Sequence, residues 1–185
     1  ETMAEITSLL KSARQGDGAA VGRLYDHLYA DLRRIAHAKL RQADGITLLD
    51  TTSLVHESYL RLAKVGQVKA DDRSHFLAYA ARAMRSVVVD FARARLADRR
   101  GGGALQVTLD TAAAESATAD DGEVVRVHEA LEELAAIDAR LVQVVEMRYF
   151  AGLEDAEIAQ ALGVSTRAVG RDWEKARLFL FASLK

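Results

Sequence analysis

The absence of proline is the feature that most restricts what this chain can fold into. None of its 185 residues is proline, only 6% are aromatic, and alanine, leucine, valine and arginine are abundant. Proline interrupts helices and aromatic residues favour strands, so a chain poor in both favours helices. Apolar residues also recur every three to four positions, which is the period of an amphipathic helix. We therefore predict an all-α fold.

Composition excludes several classes of site. With no cysteine, the chain has no disulfide, no thiolate metal site and no cysteine nucleophile. No apolar run is long enough to cross a bilayer, and the first residues lack the pattern of a signal peptide, so we expect a cytoplasmic protein without membrane insertion. Glu123 and His128 lie five positions apart, a poor spacing for metal ligands on one helix face. We expect no metal, no cofactor and no enzymatic activity.

Apolar spacing predicts four helices in the first hundred residues. A short first helix is followed by a second that Asp17 caps and that extends through Leu40. A third helix begins near Asp50, and Asp72 or Ser74 caps a long fourth. These helices are expected to share one core.

The predicted domain boundary follows the glycines at 101–103. Beyond them the chain has few large apolar residues and many small and acidic ones, which favours a flexible acidic linker. Four shorter helices are predicted after that linker. The expected organisation is a first domain at 1–100, a linker at 101–122 and a second domain at 123–185.

The net charge of −2 conceals three charged segments. Residues 73–100 carry seven arginines against two aspartates, 110–138 carry nine acids against one arginine, and 164–185 carry five cations against two acids. Two basic helical stretches separated by an acidic one predict two contacts with a polyanion. Solvated helix faces that bind nothing would carry the same charges, so this alternative stays open.

Residues 155–169 have the pattern of a helix-turn-helix. Ala159 is small where two helices would cross, Gly163 can supply a positive φ in the turn, and Ser165 can cap the second helix. That helix carries cations at spacings of three and four, which can reach base edges and phosphates in one major groove. A helical hairpin without a ligand is the alternative, but the combination favours DNA binding. We expect Arg167, Arg171, Glu174 and Lys175 on the outer face, and Val169, Trp173 and Ala176 on the inner face.

With both halves in view, the chain resembles a bacterial RNA polymerase sigma factor of the extracytoplasmic-function (ECF) type. Residues 54–62 resemble the helix that binds the polymerase clamp, 84–93 the helix that engages the minus-ten element, and 148–175 the domain that reads the minus-thirty-five element. The resemblance implies an all-α, two-domain transcription initiation factor. Its implied partners are promoter DNA and the clamp and flap of core RNA polymerase, with a Ser/Thr protein kinase or an anti-sigma protein as further candidates.

The resemblance also implies three sets of site residues. The minus-thirty-five set comprises Arg148, Ser165, Thr166, Arg167, Arg171, Glu174 and Lys175. The minus-ten set comprises Arg82, Arg85, Ser86 and Arg93, with the loop 65–72 near the pocket for a flipped base. The polymerase set comprises Asp50, Leu54, Val55, Glu57, Tyr59 and Arg61.

The chain departs from the family pattern at two places. Ser86 stands where many members have asparagine. Asp50 is followed by Thr51, Thr52 and Ser53, where the family usually has an acidic cluster before the clamp helix. Phosphorylation there would add a charge of about −1.5 to −2 at a helix N-terminus, which suggests a switch on polymerase binding. The alternative is that Thr52 and Ser53 simply cap the helix.

Two other functions fit the same patterns. A stand-alone helix-turn-helix regulator, with an N-terminal helical domain for dimerisation or sensing, would bind its operator tightly without polymerase. A helical interaction module or anti-sigma-like protein would bind polymerase or a sigma factor but support no transcription. A sigma factor is expected to bind DNA weakly alone and strongly with core polymerase.

Overall fold

Helices make up nearly all of the structure, a computed structural model that describes residues 2–42, 51–65, 68–100 and 111–185. The described residues contain no strand, which confirms the all-α prediction. None of the described helices is both long enough and apolar enough to cross a membrane. In chain order the helices are α1 (Thr2–Arg14), α2 (Gly18–His27), α3 (Tyr29–Gln42), α4 (Thr51–Val65), α5 (Arg73–Arg100), α6 (Thr111–Ile137), α7 (Ala139–Val145), a π-helical turn (Glu146–Phe150), α8 (Asp155–Leu162) and α9 (Thr166–Ser183).

The predicted second helix is divided in two. Asp17 caps α2 as expected, its carboxylate accepting hydrogen bonds from the backbone N–H groups of Ala19 and Ala20. The chain then leaves helical geometry at Leu28 (φ −104°, ψ 13°), and α3 begins at the next residue. Leu24, Leu28 and Leu32 are spaced by four, so a straight helix would rotate them progressively by about 40° each. All three are buried, on both sides of the break.

Helix α5 lies at the centre of the molecule. Asp72 caps it, accepting a 2.8 Å hydrogen bond from the backbone N–H of His75, as predicted. Its 28 residues span about 42 Å, long enough to contact both halves of the chain. It packs against α1, α3 and α4 from the first half, and against α6, α8 and the π-helical turn from the second. Phe76, Leu77 and Met84 are fully buried in it.

The linker prediction is wrong for residues 111–122, which are helical. Helix α6 starts at Thr111 rather than at Glu123. Alanine is the best helix former, and the segment begins with three alanines in a row after Thr111, so local propensity favours extending the helix backwards. Residues 101–110, with the glycines of the predicted boundary, lie outside the described residues.

The apolar core is continuous across both halves of the chain. Buried residues from α1 to α5 and from α6 to α9 belong to one cluster, in which the largest side chains include Phe76, Leu32, Leu131 and Met147. The helices α6 to α9 therefore pack directly on α1 to α5, with α5 in the middle. This packing decides which of the predicted site residues are accessible.

Candidate nucleic-acid interface

The helix-turn-helix is formed by α8 and α9. Glu157 accepts a 2.9 Å hydrogen bond from the backbone N–H of Glu154 and so closes the first turn of α8. Gly163 ends that helix with φ 65°, a left-handed conformation that glycine adopts without steric cost. Ser165 then caps α9, its hydroxyl accepting a 3.1 Å bond from the backbone N–H of Ala168. The turn glycine and the cap are confirmed as predicted.

The outer face of α9 is basic and open. Arg167, Arg171 and Lys175 are exposed, and none of them forms an ion pair with another residue of the described part of the chain. Glu174 is also exposed but pairs with Arg177 at 2.9 Å, one turn further along the helix. The opposite face is turned inward: Val169 and Ala176 are fully buried and Trp173 is half-buried. The predicted division of α9 into two faces is confirmed.

Arg148 connects the π-helical turn to both helices of the motif. Its guanidinium lies 4.9 Å from the centre of the Trp173 ring, a cation–π distance. The same group pairs with Asp155 at the start of α8, at 3.3 Å. Insertion of a π-helical turn rotates the side chains that follow it, and such turns are frequent at functional sites. Arg148 is thus held from two sides, by Trp173 of α9 and by Asp155 of α8.

A buried ion pair that sequence reasoning missed holds α9 against α7. The Asp172 side chain is 1% exposed and its carboxylate accepts a 2.7 Å hydrogen bond from Nε of Arg140. The helical spacing could have indicated this ion pair, because Asp172 lies three residues after buried Val169 and four before buried Ala176 and so shares their inner face. An acid at an inner-face position of a helix needs a basic partner.

The minus-ten residues on α5 do not share one environment. Arg82 and Arg93 are exposed, while Ser86 is half-buried. The Ser86 hydroxyl accepts a 2.6 Å hydrogen bond from Arg61 of α4, whose guanidinium also pairs with Asp90. Arg61, predicted for the polymerase surface, is thereby tied to the minus-ten helix.

Arg85, predicted for the minus-ten set, is buried instead of exposed to a DNA strand. Its side chain is only 7% exposed, because α6 and the π-helical turn cover it. It lies 2.8 Å from the carboxylate of Glu146, 3.4 Å from that of Glu132, and 2.9 Å from Nδ1 of His128. In this conformation Arg85 contacts carboxylates of the second half and is not available to DNA.

The surroundings of Arg85 change the pKa of the neighbouring His128. The pKa of His128 is lowered, first by burial and then by the positive charge of Arg85. Arg93 lowers this pKa further, whereas Glu132 and Asp90 raise it. A neutral imidazole can accept a hydrogen bond from the guanidinium of Arg85, so this contact favours uncharged His128.

The predicted polymerase surface on α4 also needs a correction. Leu54 and Val55 are buried in the core, because they lie on the face of α4 that packs against neighbouring helices. Glu57 is exposed, and Tyr59 is half-buried with its ring edge-on to Tyr25, 5.3 Å between centroids. Asp50 lies outside the described residues.

The hydroxyl cluster begins α4. Thr52 is exposed, whereas Thr51 and Ser53 are half-buried. Thr52 lines an open cavity of about 400 Å³ between α2 and α4, together with Asp26, Tyr29 and His56. In the loop 65–72, Val68 and Ala70 are buried, and residues 66 and 67 lie outside the described part. The described residues contain no cluster of three or more histidine or acidic side chains suited to a metal ion.

A family model of ECF sigma factors matches residues 3–185. The chain belongs to the ECF sigma factor family. Comparisons with curated proteins and with solved structures find no significant match. As an ECF sigma factor, the protein is a transcription initiation factor that directs RNA polymerase to promoters.

In this sigma factor the structure separates the predicted site residues by accessibility. Of the predicted minus-thirty-five set, the members from Ser165 to Lys175 are exposed at the start and on the outer face of α9, and Arg148 is half-buried beside it. The minus-ten set is divided, with Arg85 covered by the second half of the chain. Among the described residues of the polymerase set, Glu57 is exposed, Tyr59 and Arg61 are half-buried, and Leu54 and Val55 are buried.

Proposed function

We propose that this sigma factor reads the minus-thirty-five element with the outer face of α9 and captures the melted minus-ten element with α5. The observation that carries the proposal is the open basic face of α9, held in place by Arg148 over Trp173 and by the Arg140–Asp172 pair. Helices of this kind enter the major groove with their outer side chains against base edges and phosphates.

Arg171 is the best candidate for a base contact on α9. It lies on the outer face, one turn beyond the start of the helix, and forms no ion pair within the described residues. If it forms a bidentate contact to guanine, Arg171→Ala should weaken binding of the preferred duplex by about 1–3 kcal/mol. A uniform loss across promoter variants would instead assign it to a phosphate.

The role proposed for α5 is capture of unstacked bases. Arg82, Ser86 and Arg93 lie along one helix that also borders α4. Melting and flipping bases costs a few kcal/mol, so the exposed strand must be held by preformed phosphate and stacking contacts. The exposed guanidinium groups of Arg82 and Arg93 fit the phosphate contacts.

We extend the proposal to control by phosphorylation at the start of α4. Thr51 and Thr52 stand in the first turn, where the helix dipole favours an anion, and Thr52 is exposed to a kinase. A phosphate there would supply the negative charge that the family usually carries before its clamp helix. Thr51 and Thr52 are preferred over Ser53 as the acceptors.

Binding to purified bacterial core RNA polymerase tests whether the chain acts as a sigma factor and whether phosphorylation controls it. The full chain, its Thr51→Asp and Thr52→Asp variants and kinase-treated protein are compared, with Thr52→Asn as the uncharged control. Stronger retention of the acidic or phosphorylated forms supports the switch, and equal retention of all forms contradicts it. Tight operator binding without polymerase, and no retention of any form, would favour a stand-alone regulator over a sigma factor.

A further inference from the structure

The basic helix predicted to bind DNA is already occupied by carboxylates of the same chain. Arg85 is buried against Glu146, itself only 6% exposed, and against Glu132. Further along α5, Arg93 pairs with Glu129 at 3.9 Å and Arg95 with Asp121 at 3.3 Å. Glu129, Glu132 and Asp121 all belong to α6, so an acidic helix packs alongside a basic one.

We propose that the free sigma factor is held closed by these ion pairs, with the acidic side of α6 and Glu146 holding Arg85 and Arg93 of the DNA-capturing helix α5. This closed state is an autoinhibitory contact, and Arg85 and Arg93 must leave their carboxylates before they can contact minus-ten DNA. The inference rests on the proposed function of α5. It would also account for the weak DNA binding that is expected of a sigma factor without polymerase.

The carboxylates that contact α5 resemble the phosphates of a DNA strand in how they bind arginine. A guanidinium group binds a phosphate and a carboxylate by the same charge-assisted hydrogen bonds. The carboxylates on α6 and the π-helical turn therefore occupy positions that phosphates of a captured strand would need. Protein carboxylates and DNA compete for the same arginines, and only one of them can be bound at a time.

The contact is suited to opening. The Arg93–Glu129 pair is exposed on both sides, with side-chain exposures of 49% and 60%, and such pairs are weak and screened by salt. The Arg85–Glu146 pair is buried, and the desolvation of buried ions largely offsets their attraction. A partner that binds only the open form, such as core polymerase, can shift this balance by its differential affinity.

Charge removal from α6 tests the proposal in the intact chain. Glu129→Gln/Glu132→Gln removes two carboxylates that face α5. Its matched control is Glu123→Gln/Glu133→Gln, which removes two exposed carboxylates from the same helix that form no ion pair within the described residues. Both variants change the net charge equally, so any general gain in DNA affinity cancels. The first probe is fluorescent random-sequence single-stranded DNA of about 12 nucleotides, at low salt.

We expect the Glu129/Glu132 variant to bind this strand about three- to tenfold more tightly than its control, because apparent affinity rises with the population of the open form. Binding of random duplex DNA, which reports on α9, should be the same for both variants. Equal single-strand affinity of the two folded variants, checked by circular dichroism, would overturn the closed state.

A cross-link gives the converse test. Because the chain has no cysteine, Arg93→Cys/Glu129→Cys introduces a unique pair at facing positions. Joining the two with a short bismaleimide should abolish single-strand binding relative to the unreacted variant, while duplex binding persists. Unchanged single-strand binding by the cross-linked form would contradict the inference.

A transcription assay with core polymerase distinguishes a failure of the proposed sigma function from a failure of the proposed closed state. If the wild-type chain supports no promoter-dependent transcription with core polymerase, the sigma function fails, whatever the single-strand assays show. If transcription succeeds but the cross-link leaves both strand capture and promoter opening intact, the function stands and the autoinhibitory contact is refuted.

Discussion

Removing either partner of the Arg140–Asp172 pair should have unequal effects on stability. The ion pair joins α7 to the recognition helix α9 at 2.7 Å. Asp172 is 1% exposed, whereas Arg140 is 43% exposed, so the two ends of the same contact have very different access to water. Arg140→Met should therefore destabilise the protein more than Asp172→Asn.

The expected magnitudes follow from what each variant leaves behind. Arg140→Met strands a buried carboxylate whose Oδ1 already has no hydrogen-bond partner within the described residues, and an uncompensated buried charge costs about 3–5 kcal/mol. Asp172→Asn leaves a guanidinium that can turn into solvent, and an amide oxygen that can still accept a hydrogen bond, so its cost should be about 1 kcal/mol. The double variant should be more stable than Arg140→Met alone.

Urea denaturation measures these differences directly. Trp173, the single tryptophan of the chain, follows Asp172 and reports on the packing of α9 through its fluorescence. Arg177→Met serves as control, because it breaks the exposed pair with Glu174 and should cost less than about 1 kcal/mol. Equal costs for Arg140→Met and Asp172→Asn, or a larger cost for Asp172→Asn, would refute the argument from burial.

Three further predictions concern the core, the turn and pH. Phe76→Ala should lower the free energy of unfolding in urea by about 3–5 kcal/mol, since Phe76 is fully buried. Gly163→Ala should cost about 1–2 kcal/mol by thermal denaturation, from its φ of 65° alone, because no atom lies within 4 Å of the added Cβ. The lowered pKa of His128 means that its contribution to the folded state is complete above its ordinary value of 6.5 and is lost as pH falls below it. Calorimetry should therefore show a smaller loss of Tm on acidification in His128→Gln than in the wild type.

Several local features of this sigma factor are predictable because they depend on neighbours in sequence. Gly163, Ser165 and Asp17 adopt the turn and capping roles that their chemistry favours. The inner and outer faces of α9 follow from the helical period, so Arg167, Arg171, Glu174 and Lys175 lie on its exposed side as predicted. The family match across residues 3–185 agrees with the resemblance drawn from three short stretches.

Errors arose where local patterns were ambiguous. The stripe from Leu24 to Leu32 fits one helix, and nothing in this spacing signals the break that the structure has at Leu28. Few large apolar residues in 101–122 predicted a linker, yet helix propensity and the extension of α6 place 111–122 in a helix. Composition alone does not distinguish a flexible acidic segment from an acidic helix with a basic neighbour.

The sequence by itself determined the helical class, the helix-turn-helix, the family and the basic character of α5 and α9. Only the tertiary structure decided that Arg85 is buried against Glu146 and that Asp172 needs Arg140. The physical reason is that helical periodicity specifies which side chains share a face, whereas the surface that covers this face comes from residues distant in sequence. In this chain the acidic helix α6 covers Arg85 of the basic helix α5.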